Sequence, residues 1–127
     1  MQSPRTSYEI AVMVANWADG KKAKDIKVLR TEHITSLADY FVICSGDSST
    51  QIRSLTDSIE SNLKLMEIEL VGEEQDKSGH WHLLDYGPVV VHIMHTDTRA
   101  FYQIEDFWNH AECIPAHHWQ ETQRQAS

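Results

Sequence analysis

Residues 80–108 constrain the fold of this chain most strongly, because two short apolar runs, a turn and an aromatic segment follow one another there. The turn at residues 86–88 separates the two runs, and this pattern predicts a β-hairpin. From Thr96 onward, apolar residues recur at helical spacing, so a helix should follow the second strand directly. Either Thr96 or Asp97 is suited to cap this helix. Its predicted apolar stripe consists of Phe101, Ile104, Phe107 and Trp108.

Two further helices are predicted earlier in the chain. Thr6 and Glu9 have the spacing of a capping box, and apolar residues then follow at helical intervals as far as Gly20. Ser48 and Gln51 repeat the capping spacing at the start of a second helix. One face of that second helix carries Ile52, Leu55, Ile59, Leu63 and Met66.

The segments between these helices contain strand patterns. Residues 26–28 alternate between apolar and charged side chains, which predicts a strand with one solvent-facing side. The continuous apolar run at residues 40–44 predicts a strand that is covered on both faces and is therefore central. Residues 69–72 can form a short strand, and the charged stretch 73–79 is predicted to be a loop.

The chain has 127 residues, enough for one domain with a single hydrophobic core. Three helices interleaved with about five strands predict a compact α/β domain (α+β mixed) built on a mixed sheet. Beyond Asn109 the pattern fades, Pro115 interrupts any helix, and the remainder is polar. We therefore assign residues 1–109 to the domain. Residues 110–127 are interpreted as a polar C-terminal tail, which either is disordered or adds a partner contact.

Charge and cysteine usage restrict the classes of function. The chain has 19 acidic and 11 basic residues, and its net charge of −8 opposes the basic surface that binding to a phosphate backbone requires. Cys44 and Cys113 form neither a C-x-x-C pair nor a disulfide framework, which suits a reducing cytoplasm. The N-terminus has no apolar signal region, and no run is long enough for a membrane span. These features predict a cytoplasmic protein that binds neither membrane nor specific nucleic-acid sequences.

The turn SGDSS before the second helix is the main candidate for chemistry, because a helix N-terminus can bind phosphate. Nucleotidyl transfer by two metal ions also needs paired carboxylates. Asp57 and Glu60 are separated along the predicted helix and Asp85 stands alone on the hairpin, so this pair is missing. Cys44 lies in an apolar run, where the pKa of a thiol rises and its reactivity falls. We predict no catalytic residue and keep a nucleotidyl- or phosphoryl-transfer enzyme as the alternative.

The eight histidines raise a second alternative, a metal-binding regulator. On a strand, His80 and His82 share a face, and His92 could approach the same ion from the partner strand. The other interpretation is structural, with His92 hydrogen-bonded and half-buried in the hairpin and His95 beside a helix start. No zinc-binding helix motif supports the ligand interpretation. We therefore predict neither a metal nor another cofactor.

Several blocks of this sequence together resemble a known family. The blocks are DYFVICSG at 39–46, LLDYG at 83–87, VVVH at 89–92, and then an arginine, FY and a glutamate before a final tryptophan. In this order they resemble the ribosomal silencing factors, also called the Iojap family, over residues 8–109. The resemblance implies a fold similar to that of nucleotidyltransferases without their chemistry. It also implies a translational repressor that binds the large ribosomal subunit through ribosomal protein L fourteen. Bound there, the domain would sterically block joining of the small subunit when nutrients are scarce.

The hairpin supplies most of the candidate contacts with such a partner. Strand alternation places Trp81, Leu83 and Asp85 on one side and the intervening residues on the other. Aromatic residues at the two ends of a hairpin are less easily covered and suit an interface, and a carboxylate there can meet a basic partner. The predicted partner-binding residues are Trp81, Leu83, Asp85, Tyr86, His92 and Tyr102, with Arg99 as a positioning residue at the start of the last helix.

The acidic balance of the chain favours a basic ribosomal protein over bare RNA as the direct contact. Pro88 stands where family members commonly have an acidic residue after the hairpin turn, so no contact is assigned to that position. The sequence leaves two states of the free protein to be distinguished, a monomer and a homodimer.

Overall fold

A computed structural model of the chain describes residues 6–104, 106 and 109–120. The helices are α1 (Ser7–Gly20), α2 (Ser49–Leu65) and α3 (Thr96–Tyr102). The strands are β1 (Lys24–Arg30), β2 (Tyr40–Gly46), β3 (Gly72–Gln75), β4 (Trp81–Asp85), β5 (Val89–His95) and β6 (Glu112–Ile114). They form one sheet in the order β3-β4-β5-β2-β1-β6, in which β2 and β5 are parallel and the other neighbours antiparallel. The predicted mixed α/β fold is confirmed.

Helices α1 and α2 cover one face of the sheet. Val42 and Cys44 of β2 point toward these helices and pack with Val14 of α1 and Ile59 of α2 in the main hydrophobic core. Every residue of β2 is buried, because β5 and β1 flank it and both faces are covered. The prediction of a central strand is confirmed. Among the helices of the described part of the chain, none combines the length and the apolar character that a membrane span requires.

The opposite face of the sheet is covered less completely. Phe41, Ile43 and Met94 are buried there in a second, smaller core together with Ile104. Helix α3 packs on this side against β5 and β2. The side chains at the margin of this core are only partly buried, among them Trp81 of β4. This partly open face carries most of the candidate contact residues.

The predicted caps of the first two helices are present. Thr6 Oγ1 accepts a hydrogen bond from the backbone N–H of Glu9 at 3.1 Å, and the Glu9 side chain accepts one from the backbone N–H of Thr6. Ser48 Oγ accepts a hydrogen bond from the Gln51 N–H, also at 3.1 Å. Gln51 Oε1 accepts from the Asp47 N–H instead of completing the box with Ser48.

The cap of α3 differs from the prediction. His95 Nδ1 accepts the hydrogen bond from the Asp97 N–H at 3.2 Å, so His95 is the N-cap and neither Thr96 nor Asp97 has this role. A neutral imidazole nitrogen can accept a hydrogen bond as a hydroxyl or carboxylate does. Histidine was not predicted as the cap, because the usual N-cap preference is for Ser, Thr, Asp and Asn.

Helix α3 is also shorter than its predicted apolar stripe requires. It ends at Tyr102, because Gln103 adopts a left-handed backbone conformation with φ 48°. Ile104 is buried as predicted, whereas Phe101 is 81% exposed and is not a core residue. The other two members of the stripe, Phe107 and Trp108, lie outside the described residues.

Strand β3 lies later in the chain than predicted. The strand was expected at residues 69–72 and a loop at 73–79, whereas Gly72–Gln75 pairs antiparallel with β4. Consecutive Glu residues have low intrinsic strand propensity, which is why the sequence favoured a loop. Pairing with a well-formed neighbouring strand overrides that preference here.

The segment after Asn109 contributes a sixth strand that was not predicted. Strand β6 pairs antiparallel with β1, and residues 116–120 form a short helical stretch. Trp119 in this stretch is only 2% exposed and packs in the main core. Asn16 Nδ2 of α1 donates a hydrogen bond to the Trp119 carbonyl oxygen at 3.0 Å. Residues 110–120 thus differ from the polar tail expected for residues 110–127, because isolated apolar residues in a polar stretch give no periodic signal; residues 121–127 lie outside the described residues.

Candidate functional site

The hairpin of β4 and β5 places the first candidate residues on the partly open face. In its antiparallel register, Leu83 lies opposite His92, and Trp81 lies opposite Met94. Trp81, Leu83 and Asp85 are half-buried and alternate with residues that are buried toward the helices. The alternation predicted for this strand is therefore confirmed.

The Trp81 side chain is held from two sides. Its Nε1 donates a hydrogen bond to His92 Nδ1 at 3.2 Å, and its ring packs against Tyr102 with 5.2 Å between the centroids. His92, one of the predicted contact residues, is only 5% exposed, so it supports Trp81 and is not itself an accessible contact. Burial lowers its pKa to about 4. The imidazole is therefore neutral at pH 7 and can accept the indole hydrogen bond. A half-buried tryptophan in a fixed orientation loses little conformational entropy when a partner covers it.

Two exposed aromatic residues continue outward from Trp81. The rings of Tyr102 and Phe101 are 5.0 Å apart between centroids, and the two residues are 52% and 81% exposed. We refer to Trp81, Tyr102 and Phe101 as the aromatic row. Phe101 was not among the predicted contact residues, because its spacing placed it in an apolar helical stripe. Contiguous exposed aromatic surface of this kind is typical of protein–protein contacts.

Arg99 connects α3 to the sheet. Its guanidinium is buried, and Nη1 donates a hydrogen bond to Ser45 Oγ of β2 at 2.8 Å. Tyr102 lies three positions later on the same helix, so a side chain that fixes α3 also affects the aromatic row. The positioning role of Arg99 stays a prediction, and this contact is the geometry that supports it.

Asp85 lies at the hairpin turn, where its carboxylate has a local structural role. Asp85 Oδ1 accepts a hydrogen bond from the Gly87 N–H at 2.8 Å. Gly87 has φ 86°, a left-handed conformation that favours glycine. The carboxylate thus stabilises the turn while remaining half-buried on the same side of the strand as Trp81 and Leu83.

Tyr86 is the candidate that the structure separates from the others. It is only 6% exposed and packs in the main core on the helix side of the sheet. Burial raises the pKa of its hydroxyl to about 12, with a further contribution from nearby carboxylates. The expectation that an aromatic residue at this end of the hairpin is accessible is wrong here. The structure does not bring Tyr86 together with Trp81.

A groove runs along the partly open face beside Trp81. Its volume is about 590 Å³, and its lining comes from the end of the chain segment that forms β3 and from β4, which pair with each other. The residues that line it are Glu73, Glu74, Gln75, Asp76, Trp81 and Leu83. The acidic wall of this groove was not predicted, because the charged stretch 73–79 is typical of a loop. The aromatic row and this groove together form the candidate site.

The candidate metal ligands do not converge. His82 lies opposite Ile93 and is buried on the helix side of the sheet, whereas His92 lies on the other side. Burial is the main cause that lowers the pKa of His82. The His80 ring packs instead against His95, with 4.8 Å between the centroids. In the part of the chain that the structure describes, no group of three or more His, Cys, Asp or Glu residues is placed to hold a metal ion.

The two features considered for phosphoryl transfer lie at different ends of the sheet. The turn SGDSS follows the end of β2 that pairs with the last residue of β5, whereas Asp85 pairs with Val90 near the beginning of β5. Asp47 in the turn forms an ion pair with Lys24, which lowers the pKa of the carboxyl. Burial raises the pKa of the Cys44 thiol to about 12, as predicted for a residue in an apolar strand.

Glu60 of α2 and Glu73 of β3 form a carboxyl pair on the helix side of the sheet. Burial, a side-chain hydrogen bond with Glu73 and the negative charges of Glu73 and Asp57 raise the pKa of Glu60 to about 7, while Arg53 acts in the opposite direction. Because the folded state holds a proton that the unfolded state has released, stability should fall as the pH rises from about 4.5 to about 7.

We expect Glu60→Gln to stabilise the protein at pH 8, where the native carboxylate pair repels, and to have little effect at pH 5. The gain at pH 8 should be about 1 kcal/mol, a value reduced for the solvent that screens this pair. Urea unfolding at both pH values measures it. Glu74→Gln on the exposed opposite side of β3 is the control and should be nearly independent of pH. An equal gain from Glu60→Gln at both pH values would contradict this interpretation of the pair.

Fold and site together define a small mixed α/β domain with one sheet face covered by helices and the other presenting the aromatic row and the groove. A family model described as ribosomal silencing factor during starvation matches residues 4–127. The chain belongs to this family, the ribosomal silencing factors. The resemblance noted from the sequence blocks is therefore confirmed.

Individual relatives support the same assignment. A ribosomal silencing factor from Chromobacterium violaceum is 38% identical over 79% of this chain and 82% of its own length. One from Halalkalibacterium halodurans is 32% identical over 86% of this chain and 93% of its own length. A crystal structure of a protein from C. violaceum superposes with a TM-score of 0.79 at 36% identity, covering 83% of this chain and 88% of that one. A crystal structure from Bacillus halodurans gives a TM-score of 0.70 at 30% identity, covering 85% and 95%.

Proposed function

We propose that this protein represses translation by binding the large ribosomal subunit through ribosomal protein L fourteen and sterically blocking the small subunit. The observation that carries the proposal is the aromatic row beside an acidic groove, in a chain that belongs to the ribosomal silencing factors. The protein would act on ribosomes in the cytoplasm.

The chemistry of the site supports a protein surface as the direct contact. Trp81 is fixed by His92 and Tyr102 before any partner arrives, and pre-organised aromatic residues are typical of binding hot spots. The groove beside it is lined by carboxylates, and the chain has a net charge of −8. Such a surface attracts a basic partner protein and repels the phosphates of exposed RNA.

The size of the domain is sufficient for a steric mechanism. A standard interface buries about 800 Å² per partner and involves roughly 20 to 30 residues, which the open sheet face, α3 and β3 can supply. A folded domain fixed on the joining surface would exclude the small subunit by volume alone. The proposed mechanism therefore includes no chemical step, and the protein acts without being an enzyme.

Co-sedimentation with isolated ribosomal subunits tests this proposal. We expect the purified protein to sediment with large subunits and not with small ones. Large subunits that lack ribosomal protein L fourteen are the matched control and should bind much less protein. Equal binding to both subunits, or undiminished binding without L fourteen, would contradict the proposed partner.

A further inference from the structure

Strand β3 lies at the outer edge of the sheet and leaves one side of its backbone without a neighbouring strand in the part of the chain described. The Asp76 N–H donates to the Trp81 carbonyl at 3.1 Å, so these two opposite residues form a hydrogen-bonded pair. This pair determines which residues of β3 direct their backbone groups toward β4. In antiparallel pairs, consecutive residues point their backbone groups alternately toward and away from the partner strand. Gly72 and Glu74 therefore face β4, while the backbone groups of Glu73 and Gln75 face outward.

The hydrogen bonds between β4 and β5 are consistent with this assignment. The His95 N–H donates to the His80 carbonyl at 2.7 Å, and the Tyr86 N–H donates to the Val89 carbonyl at 2.9 Å. The backbone N–H and C=O groups of even-numbered residues of β4 therefore point toward β5, and those of odd-numbered residues point toward β3. Both ladders leave the same groups of β3 available for an added strand, a common mode of peptide recognition.

The side chains around this edge indicate what kind of segment it would accept. Glu74 lies opposite Leu83 and so on the same side of the sheet as Trp81, where both line the groove of about 590 Å³. The Asp76 carboxylate accepts hydrogen bonds from Ser78 Oγ and from the backbone N–H of Trp81, which favours its ionised form. A cationic side chain in this groove would meet carboxylates and the indole ring of Trp81, and both kinds of group can attract a cation.

A second copy of the chain fits this edge poorly. Pairing two β3 strands with each other would bring the exposed carboxylates of Glu73, Glu74 and Asp76 close to their counterparts. Like charges on paired strands are destabilising, and charged edges are a common protection against self-association. The acidic edge therefore disfavours pairing with a second β3 strand and favours pairing with a basic segment.

We propose that an extended, Lys- or Arg-rich protein segment adds to β3 as a further strand and directs a cationic side chain into the groove beside Trp81. This inference rests on the proposed function, which supplies a basic ribosomal protein as the partner. The edge would then fix the direction in which the partner crosses the sheet, while the aromatic row supplies the apolar contact.

Gln75→Pro tests the backbone part of this inference, with Gln75→Ala as its matched control. Proline removes the outward N–H at an edge position, where it leaves the hydrogen bonds to β4 in place. Both variants lose the same side chain from the groove, but only Gln75→Pro loses the N–H, so co-sedimentation with large subunits should show an affinity about tenfold lower for Gln75→Pro than for Gln75→Ala. Circular dichroism confirms that each variant is folded. Glu74 is exposed, and Glu74→Lys should also weaken binding by reversing the charge in the groove. If Gln75→Pro does not fold, Glu74→Lys tests whether the acidic edge contacts the partner.

Several results would overturn the inference. Normal binding by Gln75→Pro and Glu74→Lys, with binding lost in Trp81→Ala, would show that the edge is not used while the proposed function stands. A wild-type protein that does not sediment with large subunits would overturn both. A wild-type dimer that Gln75→Pro converts to a monomer would identify a second copy of the chain as the occupant of the edge.

Discussion

Replacing Trp119 with alanine is expected to lower the free energy of unfolding by about 3–5 kcal/mol, the range for removing a large aromatic side chain from a core. The reason is its burial in the main core, although it lies in a segment whose sequence is mostly polar. Its carbonyl oxygen also accepts a hydrogen bond from Asn16, which connects this segment to α1. Urea unfolding followed by circular dichroism measures the change.

His117→Ala provides the control within the same short helical stretch. His117 is exposed, so its removal should change the free energy of unfolding by less than about 0.5 kcal/mol. If Trp119→Ala unfolded at the same urea concentration as the wild type, the C-terminal segment would not contribute to the core. The main core would then have to be stabilised by α1, α2 and the sheet alone.

The second large effect concerns binding: Trp81→Ala should weaken association with the large subunit by about 2 kcal/mol or more, roughly 30-fold in affinity. The substitution removes the residue that both lines the acidic groove and packs against Tyr102. Asp85→Lys should weaken binding as well, since it places a positive charge toward a basic partner. Equilibrium sedimentation with purified large subunits at fixed salt measures both.

Ser48→Ala separates an effect on stability from an effect on binding. Ser48 caps α2 through its hydrogen bond with the Gln51 N–H, far along the chain from the aromatic row. Its loss should lower stability by about 1 kcal/mol and leave binding unchanged. If Trp81→Ala melted much earlier than the wild type yet bound normally below its melting temperature, Trp81 would be a structural residue. The contact surface would then lie elsewhere, with Tyr102 on α3 the next residue to test.

The parts of the fold that the sequence predicted are those governed by local periodicity. The alternation of β4, the continuous apolar run of β2 and the caps at Thr6 and Ser48 depend on residues close together in the chain. Such patterns specify which side of an element is buried, because burial of apolar side chains stabilises the folded state. For this reason, the placement of Trp81 and Leu83 on one face was predicted correctly.

The parts that were missed depend on contacts between distant segments. Strand β3 has an acidic sequence and forms because its backbone pairs with β4. Strand β6 forms by pairing with the edge of β1 that β2 does not occupy. Tyr86 follows the predicted alternation, yet packing on the helix side buries a residue that the hairpin alone would leave exposed. The groove beside Trp81 was missed for the same reason, since its acidic wall exists only once β3 has paired.

The decisive test of steric silencing is the joining of isolated large and small subunits in the presence of increasing amounts of this protein. We predict that the yield of joined ribosomes on a sucrose gradient falls as the protein concentration rises, and that Trp81→Ala requires roughly 30-fold more protein for the same effect. Unchanged joining at a concentration that saturates the large subunits would contradict steric silencing, even if the protein remained bound to them.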